Sequence, residues 1–452
     1  MHLALLGTTG NDNGQRQIGL DGLLHPAFAA VAAVFRNQLR AYPGGAALCV
    51  YHRGECVLDL WGGARDAKGT PWTRDTMSPS FSTTKGIAST LLHMMVDRGL
   101  LNYDDRVATY WPEFAQAGKQ AITIRQVLAH QSGLYHIRQM IDHADRMLDW
   151  EFMIHAIERT PPIHTPGTQT GYHGLTYGFL VGEILQRVTG TEFSQLVQTE
   201  LARPLGLDGM YIGAPPDVLH RAAKLIWARR PTTGPKLLAT TATAGDTLTW
   251  TAAIVQRTLR LVGVQLDLQS IFDALAPRGI GSFDFGAERT LRAAIPAANG
   301  LFTARALAKV YAALADGGEI DGVRLLSRKT LARATQVQGA TRRRAVIPFD
   351  MRWRLGYHGI ATTRGVPRHA FGHFGFGGSG AWADPRRQLA VALVVNSGMG
   401  TPFGDLRIPR LSGAVLTCVR RRPTPADSRA PVRTPERAAP LWLNVLDSLA
   451  LF

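Results

Sequence analysis

At 452 residues and 45% hydrophobic, the chain is long enough for two lobes and a large interior, and too long for one compact hydrophobic centre. Charged residues at 19% and a mean hydropathy near zero are those of a folded soluble protein, and no uninterrupted apolar run reaches the length of a membrane-spanning helix. The formal charge of +16 comes largely from arginine spread through the chain. Its denser patches, Arg342-Arg343-Arg344 and Arg420-Arg421-Arg422, carry no interleaved aromatics and no reading module, which sets specific nucleic-acid binding aside and leaves nonspecific attraction to anionic surfaces.

In chain order, the start from Met1 to Gly7 lacks a basic opening and a sustained apolar core, so no secretory signal is expected. Residues 1–20, rich in Gly, Asn and Gln, are expected to be a flexible amino terminus. Helical spacing of Phe28, Val31, Ala32, Phe35 and Leu39 predicts a helix over 25–39. After Pro43-Gly44-Gly45, two apolar runs, 46–51 and 56–63, flank His52-Arg53-Gly54 and predict a hairpin. The three cysteines, Cys49, Cys56 and Cys418, have no metal-ligand spacing and form no disulfide framework. Cys49 and Cys56 can face one another across that hairpin, but buried free thiols are the simpler reading, compatible with a cytoplasmic, reducing location.

Phe81-Ser82-Thr83-Thr84-Lys85-Gly86 precedes a helix over 87–98. Serine and lysine three apart at a helix start share a face, one turn from each other. Ser82 would then lie where backbone N–H groups are unpaired and the helix dipole favours negative charge. Lys85 can accept the hydroxyl proton if burial lowers its pKa. A plain helix cap with a solvent-facing lysine is the competing reading of this stretch.

From about 100 to 290 the pattern is helical with long irregular connections. Helices are expected over 124–130, 147–157 (halted at Pro161-Pro162), 177–188 (ended by Gly190), 192–201, 251–261 and 268–275. Sheet character returns with Gly300-Leu301-Phe302, a helix over 304–315 and the segment from Phe371 to Gly375. Leu389 to Val395, seven apolar residues without alternation, predicts a strand buried on both faces, paired antiparallel with 379–384 across Asp384-Pro385. A last helix is expected over 411–418. Beyond Arg421 a Pro- and Arg-rich tail should be disordered, and 441–452 forms an apolar coda.

The most economical architecture joins α/β and all-α parts: 21–100 with 291–420 as a discontinuous sheet domain, 101–290 as an inserted helical domain, and 421–452 as a tail. An active site between the lobes would suit a common location for pockets.

Acyl transfer requires a nucleophile, a base, a proton path to the leaving group and an oxyanion hole. Tyr172, in Gly171-Tyr172-His173-Gly174 before the clearest helix, is a candidate third partner: a phenolate held by the lysine ammonium would accept the Ser82 proton. An aromatic packing between lobes is the alternative. His373-Phe374-Gly375-Phe376-Gly377-Gly378-Ser379-Gly380 contains four glycines in eight residues, which permits close approach of backbone to ligand. Ala381 stands where a nucleophile elbow needs glycine, so an α/β-hydrolase assignment fails at its key motif.

Taken together these stretches resemble the serine beta-lactamase and penicillin-binding-protein superfamily, in its class C-like branch with the family VIII carboxylesterases and LACTB-like proteins. Ser82-Thr83-Thr84-Lys85 resembles Ser-x-x-Lys, which implies Ser82 as acylated nucleophile and Lys85 as its activator. Tyr172-His173-Gly174 stands for Tyr-Ser-Asn, and His373-Phe374-Gly375 for Lys-Thr-Gly, each with departures. The resemblance implies an oxyanion hole from the Ser82 and Phe376 amides, substrate contacts from His373, Phe374 and Gly375, and a beta-lactamase-like fold. Segments 130–134, 296–300 and 304–308 with Tyr311 resemble the branch's structural stretches.

The lost lysine, threonine and asparagine would have held a lactam's carboxylate and amide, which favours an uncharged ester of short to medium acyl chain. The expected protein is thus a serine carboxylesterase with a small-molecule ester substrate. It would need no cofactor or metal, bind no specific nucleic acid and carry no transmembrane segment. A beta-lactamase, a D-amino-acid peptidase and a non-catalytic binding or assembly protein of the same fold are the alternatives.

Overall fold

A computed structural model describes residues 4–6, 19–227, 267–339, 343–398 and 405–421, the first three through their backbone alone. The helix expected over 251–261, Arg342, and the tail and coda beyond 421 lie outside these residues. The frame is an eight-stranded antiparallel sheet. In chain order its strands are β1 (Ala4–Leu6), β2 (Asp21–Leu24), β3 (Gly45–His52), β4 (Glu55–Gly63), β5 (His358–Gly359), β6 (Phe371–Phe374), β7 (Gly380–Asp384) and β8 (Leu389–Val395). Their spatial order is β1-β2-β4-β3-β8-β7-β6-β5. The first 60 residues and the last third therefore meet at the β3–β8 seam, where Val50 opposes Val391.

Local chemistry accounts for these elements. The β3–β4 turn places Arg53 and Gly54 at φ 58° and 75°, as a two-residue hairpin loop requires. Each residue of β8 is buried, because helices cover both faces of the sheet at its centre. One face carries α1 (Ala29–Ala41) and α6 (Arg407–Arg421), which pack on each other. The other carries α2 (Thr83–Asp97) and α5 (Ala304–Ala315). α2 buries residues around its whole circumference, since α3 (Thr176–Thr189) and the helical region pack on its far side.

The helical region includes α3, ended by Gly190 at φ 66°, and α4 (Leu268–Leu275). The helix expected over 147–157 runs Trp150–Arg159, its amino end capped by Asp149 accepting from the Phe152 N–H. The helix expected over 192–201 begins as Phe193–Leu196 and continues as a π-helical stretch, Val197–Ala202. Ala4–Leu6, within the stretch expected to be loosely ordered, pairs antiparallel with β2. Its three-residue apolar segment is too short for periodicity to register.

Cys49, buried, and Cys56, partly buried, are free thiols with their Sγ atoms 3.8 Å apart, so the expected proximity across the hairpin is present without a bond. Among the described residues no helix is long and apolar enough to cross a membrane.

Candidate active site

The site forms where the first turn of α2 meets Gly171–Leu175 and the glycine-rich segment after β6. Phe81, immediately before Ser82, has φ 45°, a conformation L side chains adopt rarely and one that tends to cluster at functional sites. Ser82 occupies the N-cap position of α2 but makes no capping hydrogen bond through its side chain. Its Oγ is instead held between two buried groups. Lys85 Nζ lies 3.0 Å away, and the Tyr172 hydroxyl donates to it at 2.8 Å. The helix-cap reading of Ser82 and the solvent-facing reading of Lys85 thus both fail.

Lys85 is fully buried, and its Nζ also donates to the carbonyls of Gly174 (2.7 Å) and Ala297 (2.9 Å). Burial pushes the Lys85 pKa well below the ordinary lysine range, with no carboxylate to offset it. A neutral amine fits the three contacts. Its two N–H groups satisfy the two carbonyls, which can only accept, and its lone pair faces the Ser82 hydroxyl proton.

Burial also raises the Tyr172 phenol above its usual value, more than its hydrogen bond to Ser82 lowers it. Desolvation penalises both charged forms, which favours a neutral phenol beside a neutral amine over the expected phenolate beside an ammonium.

His173 is buried and turned away from Ser82. Its Nδ1 meets the Gly171 carbonyl at 2.7 Å, and its Nε2 accepts from the Leu134 amide at 3.3 Å, with Ser132 Oγ at 2.6 Å. At Gly174 a Cβ would stand 2.2 Å from Leu275 Cδ2, so α4 fills the space a side chain at this position would need.

On the opposite side, β6 brings Gly375 so close that a Cβ there would stand 2.3 Å from the Ser80 carbonyl oxygen. Gly377 and Gly378 take φ 92° and 105° and turn the chain back. Arg407, at the start of α6, pins this turn: its Nη2 donates to the Gly377 carbonyl at 2.8 Å while Asp405 accepts from its Nε at 2.9 Å. Among the described residues neither the Ser82 nor the Phe376 amide donates a hydrogen bond within the protein.

Ser82, Tyr172, His373, Phe374, Gly375 and Phe376 line one cavity of about 740 Å3. Two aromatic walls dominate it. Phe81 contacts Phe285, Phe376 and Trp227 at ring separations of 5.3, 5.6 and 6.1 Å, and Trp353 stacks on Tyr172 at 5.6 Å and 16°. Its charged lining residues are Asp350, exposed, Arg352, partly exposed, and Asp405, paired with Arg407. Among the described residues no group of three or more His, Cys, Asp or Glu side chains is placed to hold a metal ion.

Sequence reasoning missed the walls built by Trp227, Phe285 and Trp353, which lie in no motif. It also missed the Arg407 tether and the ring packing of buried His130 on Tyr172 and Trp353. Only His130, in the stretch 130–134, carried any signal.

The chain belongs to the beta-lactamase family, whose model matches residues 32–414, as the resemblance drawn from the three short stretches implied. A curated relative, the esterase/beta-lactamase LipL of Mycobacterium tuberculosis, is 38% identical over 405 residues, 87% of this chain and 86% of its own length. Among solved structures, a family VIII carboxylesterase matches with a TM-score of 0.74 at 32% identity, covering 88% of this chain and 99% of the other. A penicillin-binding-protein homologue from Caulobacter crescentus matches with a TM-score of 0.71 at 35% identity and the same coverage.

Proposed function

We propose that the protein is a serine carboxylesterase that forms an acyl-enzyme on Ser82. The observation that carries this reading is the Ser82 hydroxyl held between the buried Lys85 amine and the Tyr172 phenol, facing an apolar cavity. Relatives named as an esterase/beta-lactamase and as a family VIII carboxylesterase support ester hydrolysis.

In the first half of the reaction Ser82 Oγ attacks the ester carbonyl carbon as its proton passes to Lys85 Nζ. The carbonyl electron pair moves to oxygen, where the Ser82 and Phe376 amides stabilise it. The tetrahedral adduct collapses by breaking the bond to the alcohol oxygen. That oxygen receives the proton held by Lys85 by way of the Tyr172 hydroxyl, which touches the same Oγ.

The cavity's chemistry directs the choice of substrate. Aromatic walls on two sides and the filled space at Gly174 suit an uncharged apolar ester of short to medium acyl chain. Cys49, Cys56 and Cys418, which form no disulfide, fit a cytoplasmic location.

The test is hydrolysis of 4-nitrophenyl butyrate against nitrocefin, with a fluorophosphonate to label the nucleophile. Ester turnover above lactam turnover is expected, with the adduct on Ser82. Ser82→Ala should lower ester turnover at least about 10³-fold. Full activity in that variant, or fast nitrocefin turnover with weak ester cleavage, would sink the reading.

A further inference from the structure

The proposed ester hydrolysis leaves its second half open: a water must attack the acylated Ser82, and some group must take that water's proton. Lys85 is poorly placed for this. It does not line the cavity, and its Nζ is bound to two backbone carbonyls and to Ser82 Oγ, which is esterified at this stage. Tyr172 lines the cavity but is a buried neutral phenol.

Four buried histidines surround the site, and their hydrogen bonds distinguish them. His173 uses both ring nitrogens, as described above. His358 places Nδ1 on the Gly359 carbonyl at 2.8 Å, and its Nε2 accepts from the Phe374 amide at 3.0 Å. His130 accepts the His173 amide proton at Nδ1 at 3.2 Å, so its own proton sits on Nε2, which is buried and without a partner, and no lone pair is left. His373 differs from all three. Its Nδ1–H donates to the Phe374 carbonyl at 3.1 Å, which leaves the Nε2 lone pair buried and without a partner.

His373 also lies on the right wall. It lines the same cavity as Ser82, its ring centroid is 6.3 Å from that of Tyr172, and its Cβ packs at Gly86, the residue after Lys85.

We propose that His373 Nε2 is the base that takes the proton of the hydrolytic water during deacylation. This rests on the ester-hydrolase reading and adds a residue to it. Water oxygen bonds to the acyl carbon while one water proton moves to His373 Nε2 and the carbonyl electron pair moves to oxygen. Collapse breaks the carbon–Oγ bond, and the departing Ser82 oxygen receives the imidazolium proton through the Tyr172 hydroxyl. The products are the free acid and the original Ser82 hydroxyl, so atoms and charge balance. Burial holds the His373 pKa well below the usual histidine value, which keeps its lone pair available throughout the neutral range.

The experiment separates the two halves of the reaction in full-length His373→Gln and His373→Ala. Labelling by a fluorophosphonate reads the Ser82 machinery alone and reports on folding at the same time. Its rate should fall by much less than the deacylation rate does. Deacylation should fall about 10²- to 10⁴-fold, the yield of a general base. 4-Nitrophenyl butyrate should then give a burst followed by slow turnover, with butyryl-Ser82 accumulating by mass spectrometry. Parallel loss of labelling and turnover, or unchanged turnover, overturns the assignment. A wild-type enzyme that labels and turns over neither reagent overturns the ester reading itself.

Discussion

The two sides of the cavity differ in how completely their polar groups are occupied. On the α2 side, Ser82 is bound to both Lys85 and Tyr172, and Lys85 is bound also to two backbone carbonyls and to no charged partner. On the β6 side and around the walls, the surface is mostly aromatic; of the two buried imidazole nitrogens without a partner, His130 Nε2 carries a proton and His373 Nε2 a lone pair. The contrast teaches a division of labour. In the proposed reaction the saturated polar cluster would shift a proton over a short fixed path for any acyl group, while the apolar walls would select which acyl group arrives.

The most direct way to break this division is Lys85→Met, which removes the proposed base and keeps the volume. Turnover should fall about 10²- to 10⁴-fold. The same variant tests the protonation state. A lysine whose folded pKa lies below its unfolded value of about 10.4 makes the unfolded chain bind more protons, so stability rises with pH between the two values. Wild type should therefore gain thermal stability relative to Lys85→Met as pH rises from neutral toward about 10. A pH-independent difference in melting temperature would show that Lys85 is charged in the folded protein.

Gly174→Asn probes the boundary between the two sides. Its Cβ would meet Leu275 Cδ2 at 2.2 Å and the Ala274 carbonyl oxygen at 3.0 Å. Forcing a side chain there should destabilise the protein by about 1–3 kcal/mol without creating lactam turnover. Chemical denaturation and a nitrocefin assay measure the two effects, and unchanged stability with new lactamase activity would contradict the filled-space argument.

Phe285→Ala alters only the wall. It should raise KM for apolar esters about 10-fold and leave kcat nearly unchanged. A fall in kcat with constant KM would instead tie the wall to the chemistry.

Much of the frame was legible in the sequence because its signals are local. The apolar run in β8, the turn at Arg53-Gly54 and the stop at Gly190 each specify a conformation within a few residues. Ser82 and Lys85 were legible for the same reason, since helical spacing puts them one turn apart. Tyr172 was legible only as one of two readings until the family resemblance was drawn, because it meets Ser82 across 90 positions of sequence. The walls were not legible, since Trp227, Phe285 and Trp353 come from separate segments with no shared spacing.

By itself, then, the sequence determined the strands and helices, the serine–lysine pair and the family. Tertiary structure decided the chemical state of those residues. Burial of Lys85 and Tyr172 without a charged partner favours amine and phenol over the expected ammonium and phenolate, because desolvation depends on everything packed around a group. Only the assembled hydrogen bonds show that the Ser82 side chain does not cap its helix and that His373, among the four histidines around the site, keeps an unpartnered lone pair.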